Sequence, residues 1–87
     1  MKEISIKSLK YNDNIIDIRD NYSYKLGHVK NAINIPMNEL LNNMHLLDKN
    51  KTYYIYCQSG IRSLKCTKIL NQFGYNVVNV YDGYNNY

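Results

Sequence analysis

Hydrophobic and polar positions along the chain fall into short strand-like runs separated by helical ones. Ile4-Ser5-Ile6 reads as a short opening strand, and Ser8-Leu9 starts a brief turn or helix. Asn14-Ile15-Ile16-Asp17-Ile18 is apolar on both faces, which predicts a buried strand of a parallel sheet. Asn21 to Gly27 reads as a short helical or looped segment closed by glycine. Ala32-Ile33-Asn34-Ile35 is a further short strand, stopped by Pro36. Met37, Leu40, Leu41 and Met44 recur at helical spacing and predict a helix over 37–44. After a turn at Asn50-Lys51, the run Thr52-Tyr53-Tyr54-Ile55-Tyr56 is β-branched and aromatic throughout, the strongest strand signal in the chain. Ile61 to Phe73 is the longest helix, with Gly74 at its C′ position. Asn76 to Tyr81, carrying Val77, Val78 and Val80, is a last strand, and 82–87 is a tail with room for one helical turn.

Strands that alternate with helices predict an α/β fold: a small, mostly parallel five-stranded sheet with helices on both faces. The 87 residues fit a single domain, 1–87, with no repeat, linker or low-complexity stretch. Ligands of such sheets bind beyond the carboxyl ends of the strands, and chemistry is expected there.

Composition narrows the classes. At 45% apolar residues the chain has enough to build one core and too many for disorder. No apolar run approaches the ~20 residues a membrane helix needs. Met1-Lys2-Glu3-Ile4 lacks an apolar signal region, so a cytoplasmic location without membrane contact is expected. Eleven basic against seven acidic residues give a net charge of +4, mildly favourable to anions, and no dense Lys/Arg cluster points to nucleic acid. Nine of the eleven basic residues are Lys; only Arg19 and Arg62 are Arg. Each arginine therefore marks a place where a planar, multi-donor contact to an oxyanion or carboxylate is needed, or chance has put it there. Cys57 and Cys66 stand nine positions apart, which is not a metal or redox C-x-x-C pair.

The loop after the strongest strand carries the candidate chemistry. Cys57 is followed by Gln58-Ser59-Gly60-Ile61-Arg62-Ser63, and the long helix starts at the end of that run. A chain that turns sharply around a cysteine aims successive amides inward as an anion-binding nest. Gly60 allows the backbone conformation such a curl needs. The first turn of a helix adds unpaired N–H groups and positive potential, which lowers a nearby thiol's pKa. Arg62 adds a fixed charge where a cation makes sense only if an anion also sits there. The bland alternative is an ordinary buried thiol at a strand end.

The segment Cys57-x-x-Gly60-x-Arg62-Ser63 resembles the active-site loop of rhodanese-like sulfurtransferases. Asp17-Ile18-Arg19, Tyr24, Gly27-His28-Val29, Ala32-Ile33-Asn34-Ile35-Pro36 and Val80-Tyr81-Asp82-Gly83 resemble the rest of the family's pattern, in order, over nearly the whole chain. The resemblance implies a single-domain thiosulfate sulfurtransferase that works through a Cys57 persulfide. Loop amides from Gln58, Ser59, Gly60, Ile61, Arg62 and Ser63 would hold the transferred sulfur, and Arg62 would attract a thiosulfate-like donor. A small-molecule or protein thiol would accept the sulfur, with no metal or organic cofactor required. Arg19 would brace the loop, and Asp17 would pair with it or with backbone amides. Two further readings stand beside this one: a non-catalytic interaction or sensing module on the same fold, and a cysteine phosphatase or arsenate reductase. The latter is disfavoured because this chain has Cys57-x4-Arg62 where phosphatases use Cys-x5-Arg. Asp20 and Asp82 are its only candidate acids.

The remaining residues read as structural. His28 suits a backbone-bonded loop histidine better than a catalytic base, His45 lies at the surface, and Lys65 is a solvated helix charge. Cys66, Ile69, Leu70 and Phe73 form a helical stripe that predicts a core face. Tyr53, Tyr54 and Tyr56 are strand packing. Tyr84 and Tyr87 stand where family members carry a second glycine and a tryptophan. That departure implies an incomplete last helix and an open mouth suited to a protein acceptor.

Overall fold

Five strands form one sheet, all parallel, in the order β1-β5-β4-β2-β3. They are β1 (Glu3–Ile4), β2 (Asn14–Asp17), β3 (Ile33–Asn34), β4 (Thr52–Tyr56) and β5 (Asn76–Val80). The helices are α1 (Asn21–Leu26), α2 (Met37–Asn42) and α3 (Ile61–Gln72), supplemented by 3-10 turns at Ile6–Ser8, Met44–Leu46 and Tyr84–Asn86. The computed structural model describes residues 2–87.

Alternation along the strands splits the apolar side chains between two cores. Ile16, Ile18, Ile55, Cys57 and Val77 pack beneath Leu40, Leu47, Cys66 and Leu70, so α2 and α3 cover one face. Ile15, Tyr56 and Val80 pack with Ile6, Val29 and Ala32 on the other, where Tyr24 of α1 and Tyr84 of the last 3-10 turn close over them. This two-sided burial is why the strands are apolar on both faces.

Several elements differ from the sequence expectation. The opening strand ends at Ile4 rather than Ile6, because Ser5 caps the 3-10 turn and Asp82 takes the Ile6 amide at 2.8 Å. The second and third strands are shorter than expected, ending at Asp17 and Asn34, although the Ile18 amide still donates to the Tyr56 carbonyl and the Ile35 amide to the Asp17 carbonyl, each at 3.0 Å. The helix expected over 37–44 ends at Asn42, where Asn43 leaves helical geometry (φ −139°, ψ 52°) before the 3-10 turn. On α3 the buried stripe is Ser63, Cys66, Thr67 and Leu70, while Phe73 is 58% exposed. The expected stripe and the observed one share Cys66 and Leu70. The difference is that the sequence reading followed apolarity, whereas the polar Ser63 and Thr67 face the sheet.

The topology places the functional ends side by side. β2 and β4 are direct neighbours with Asp17 opposite Tyr56, and the Ile18 amide donates to the Tyr56 carbonyl at 3.0 Å. The chain segments leaving these strands, Ile18-Arg19 and Cys57-Gln58, therefore emerge together at the carboxyl edge.

Candidate active site

Strand β4 delivers Cys57 to the first turn of α3. The Gly60 amide donates to the Cys57 sulfur at 3.2 Å and the Ser63 amide at 3.3 Å, and the Ser63 hydroxyl stands 3.4 Å from the same atom. Ile61 and Arg62 occupy the intervening first turn, where helix amides have no preceding carbonyl to bond. Loop 57–63 is thus curled around one sulfur.

Two glycines make the curl possible. Gly60 has φ +96°, and a Cβ there would stand 1.9 Å from the Tyr81 carbonyl oxygen, so any side chain would force the loop off β5. Gly83, at φ +65°, lets the tail cross directly over the loop; a Cβ there would lie 2.5 Å from the Gln58 carbonyl oxygen. The Tyr84 amide then donates to the Cys57 carbonyl at 2.9 Å and the Asn85 amide to the Gln58 carbonyl at 3.0 Å. The tail forms only one 3-10 turn in place of a full last helix, as expected from Tyr84 and Tyr87, and it packs on the loop with Tyr84 stacked between Tyr56 and Tyr87.

Burial works against a charged Cys57 sulfur, but the Ser63 hydroxyl and the amides of Ser63, Gly60 and Ser59 together outweigh it and hold the thiol below its ordinary pKa. Cys66, in the same core but with no such donors, is pushed up to about 12, by burial first and by the neighbouring Cys57 charge second. Both cysteines are buried, Cys57 at 1% exposure and Cys66 at 0%. Ionisation, not access, is what distinguishes them.

Arg19 continues the neighbouring edge. Arg19 as a whole is 3% exposed, and its guanidinium forms a salt bridge to Asp17 at 2.7 Å, donates to the Gly27 carbonyl at 2.7 Å, and reaches the Gln58 side-chain carbonyl at 3.0 Å. Burial opposes its charge, and Asp17 more than offsets that, so its pKa lies above the ordinary value. The Tyr84 ring lies 4.3 Å beneath it. Asp17 also accepts from the Arg19 amide at 2.9 Å and from the Tyr56 hydroxyl at 2.6 Å, and that hydroxyl in turn accepts from the Val29 amide at 3.0 Å. Burial and the Asp17 bond push the Tyr56 phenol far above its usual range. Arg19 braces the loop through Gln58 rather than by a salt bridge to it.

The other expected residues fall as follows. Gln58, Ser59, Ile61 and Arg62 are exposed at the loop's outer side, and Ser63 and Gly60 are buried against the sulfur. Among the described residues, Arg62 forms no salt bridge. His28 stacks on Tyr24 and bonds its carbonyl at 2.8 Å, away from the sulfur's partners. Asp20 caps α1, and Asp82 is taken by Ser5, Ile6 and Asn86, so neither is free as an acid. Sequence reading missed the Tyr56 hydroxyl, Asn85, and Asn79, a buried side chain that donates to Glu3 at 2.9 Å and lies 3.5 Å from the Gly60 carbonyl. The pairing of β2 with β4 is the signal that finds Tyr56; nothing local marks the other two.

A family model for the rhodanese-like domain matches residues 3–87. The chain belongs to the rhodanese-like family. A relative of Bacillus subtilis bearing the name putative sulfurtransferase YtwF is 35% identical over 89 residues, covering 95% of this chain and 86% of that protein. The thiosulfate sulfurtransferase PspE of Escherichia coli is 39% identical over 62 residues, 69% of this chain and 60% of PspE. A tRNA uridine(34) hydroxylase of Buchnera aphidicola is 37% identical over 80% of this chain, which spans only 24% of that protein. A crystal structure from Staphylococcus saprophyticus superposes with a TM-score of 0.92 at 35% identity, covering 99% of this chain and 92% of that one. At the level of the family these relatives support sulfur transfer. Among the described residues, no helix is long and apolar enough to cross a membrane.

Proposed function

We propose that residues 1–87 act as a single rhodanese-like unit that moves sulfane sulfur from thiosulfate or a persulfide donor to a thiol, through a Cys57 persulfide. The Cys57 thiolate attacks the outer sulfur of thiosulfate. A new S–S bond forms, the donor's own S–S bond breaks, and sulfite leaves with the electron pair. An acceptor thiolate then attacks the terminal sulfur of the persulfide, becomes a persulfide itself, and returns Cys57 as thiolate. The convergence of the Gly60 and Ser63 amides on the Cys57 sulfur carries this reading, because it favours the ionised nucleophile and then the terminal persulfide anion. PspE, a relative named for thiosulfate, supports that donor. Arg62, exposed beside the loop, supplies the charge that draws a dianion in.

A phosphatase or arsenate reductase reading loses support, since Cys57-x4-Arg62 is one residue short, Asp20 caps α1 and Asp82 is occupied by bonds from Ser5, Ile6 and Asn86. The non-catalytic reading draws on one observation: Cys57 is only 1% exposed, so the loop must yield for a donor to reach the sulfur. Steady-state kinetics with thiosulfate and cyanide divide the readings. Parallel double-reciprocal lines support the two-step transfer, whereas absence of thiocyanate formation supports the module.

A further inference from the structure

The side chain of Gln58 follows the nucleophile directly, yet it does not face the sulfur. Its carbonyl accepts from Arg19 at 3.0 Å and its amide donates to Asn85 at 2.6 Å. One exposed side chain thus spans from the end of β2 to the tail. The same tail is bonded to the Cys57 and Gln58 carbonyls through the amides of Tyr84 and Asn85. Arg19 is itself immobilised by Asp17, by the Gly27 carbonyl and by the Tyr84 ring, so it is a rigid anchor. Arg19, Gln58 and Tyr84, with Ser23, Leu26 and Gly27, line a cleft of ≈ 230 Å³ at this edge.

We infer that Gln58 is a positioning residue: its side chain latches the tail to Arg19 and so holds the Cys57–Gln58 peptide in the orientation that aims the following amides at the sulfur. The inference rests on the proposed role of Cys57 but not on sulfur transfer itself. The peptide after Cys57 has its carbonyls pinned by the tail, and the tail is pinned at its other side by the Gln58 side chain. When the latch is absent, the tail is left with backbone bonds to an exposed loop, and the Gly60 and Ser63 amides lose their fixed aim. The thiolate then loses stabilisation that depends on geometry.

Gln58→Met keeps the side chain's length and removes both hydrogen bonds; Asn85→Ala removes one end only. The pH profile of iodoacetamide alkylation at Cys57 is measured in wild type, each single variant and the double variant, alongside thermal unfolding. The latch predicts that the alkylation midpoint rises in Gln58→Met by at least about half a pH unit, and that the double variant rises no further than the larger single effect, since one connection is broken in all three. An unmoved midpoint, with or without a lower melting temperature, overturns the inference, and so do additive shifts. Alkylation does not depend on any sulfur donor, so a shifted midpoint in a protein that forms no thiocyanate would sink the proposed transfer and leave the latch standing.

Discussion

Ser63 contacts the Cys57 sulfur twice, with its amide at 3.3 Å and its hydroxyl at 3.4 Å, while completely buried at the start of α3. One residue therefore supplies both a helix-terminus donor and a side-chain donor to the nucleophile, and the first turn of α3 is tied to the thiol's ionisation. Removal of the hydroxyl alone should separate the two contributions. A hydrogen bond to a charged group is worth about 1.5–3 kcal/mol, so in Ser63→Ala the Cys57 pKa should rise by about one to two units. The amide and the fold remain. Alkylation rate against pH measures the shift; a midpoint that stays in place contradicts the assignment.

Arg62 contributes differently. The groups that lower the Cys57 pKa are the Ser63 hydroxyl and the amides of Ser63, Gly60 and Ser59, and Arg62 is exposed outside that set. Arg62→Ala should therefore raise the KM for thiosulfate several-fold and weaken the salt dependence of capture, with the Cys57 alkylation midpoint unmoved. A shifted midpoint at unchanged KM would place Arg62 in the thiolate's stabilisation instead.

Cys66 reports on the core. Its pKa is raised to about 12 in the fold, so the folded chain stays protonated while the unfolded thiol ionises near about 8.5. That contribution to stability is fully present below the unfolded value and is lost as pH rises through the interval. Urea unfolding of wild type and Cys66→Ala should show a difference that narrows between about pH 8 and about pH 10.5. At the lower pH, iodoacetamide should modify Cys57 and leave Cys66 untouched. A constant stability gap, or comparable labelling of the two thiols, runs against the core placement of Cys66.

The Asp17–Arg19–Tyr56 cluster should be felt in stability in a set order. Asp17→Asn leaves a buried guanidinium without its counter-ion and should cost about 3–5 kcal/mol. Tyr56→Phe leaves the Asp17 oxygen and the Val29 amide each short of one partner and should cost about 1–3 kcal/mol. Chemical denaturation gives both numbers, and a reversal of their order would show that the ion pair is not the centre of the cluster.

Most of the architecture was legible because parallel α/β strands betray themselves by two-sided apolarity, and Thr52–Tyr56 and Asn14–Asp17 do so plainly. Cys57, Gly60 and Ser63 were legible for another reason: a thiol, a left-handed glycine and a helix start in one loop have a joint physical purpose. The sequence reading failed where the deciding partner is distant in the chain. Ser5 ends β1 because Asp82 lies beside it, 77 positions away. Ser63 and Thr67 face the sheet although they are polar, so apolar periodicity misplaced Phe73 in the core. Tyr84 read as a defect in the tail, but Gly27 opposite it leaves room for the ring, whose hydroxyl would lie 2.6 Å from a Cβ there. That accommodation joins α1 to the tail and no local pattern records it.

Intact-mass spectrometry after incubation with thiosulfate tests sulfur loading on Cys57 most directly. The wild-type chain should gain the mass of one sulfur atom, Cys57→Ser should gain nothing, and cyanide should strip the added sulfur from the wild type. A wild-type mass that does not change, or an adduct that persists in Cys57→Ser, contradicts the account.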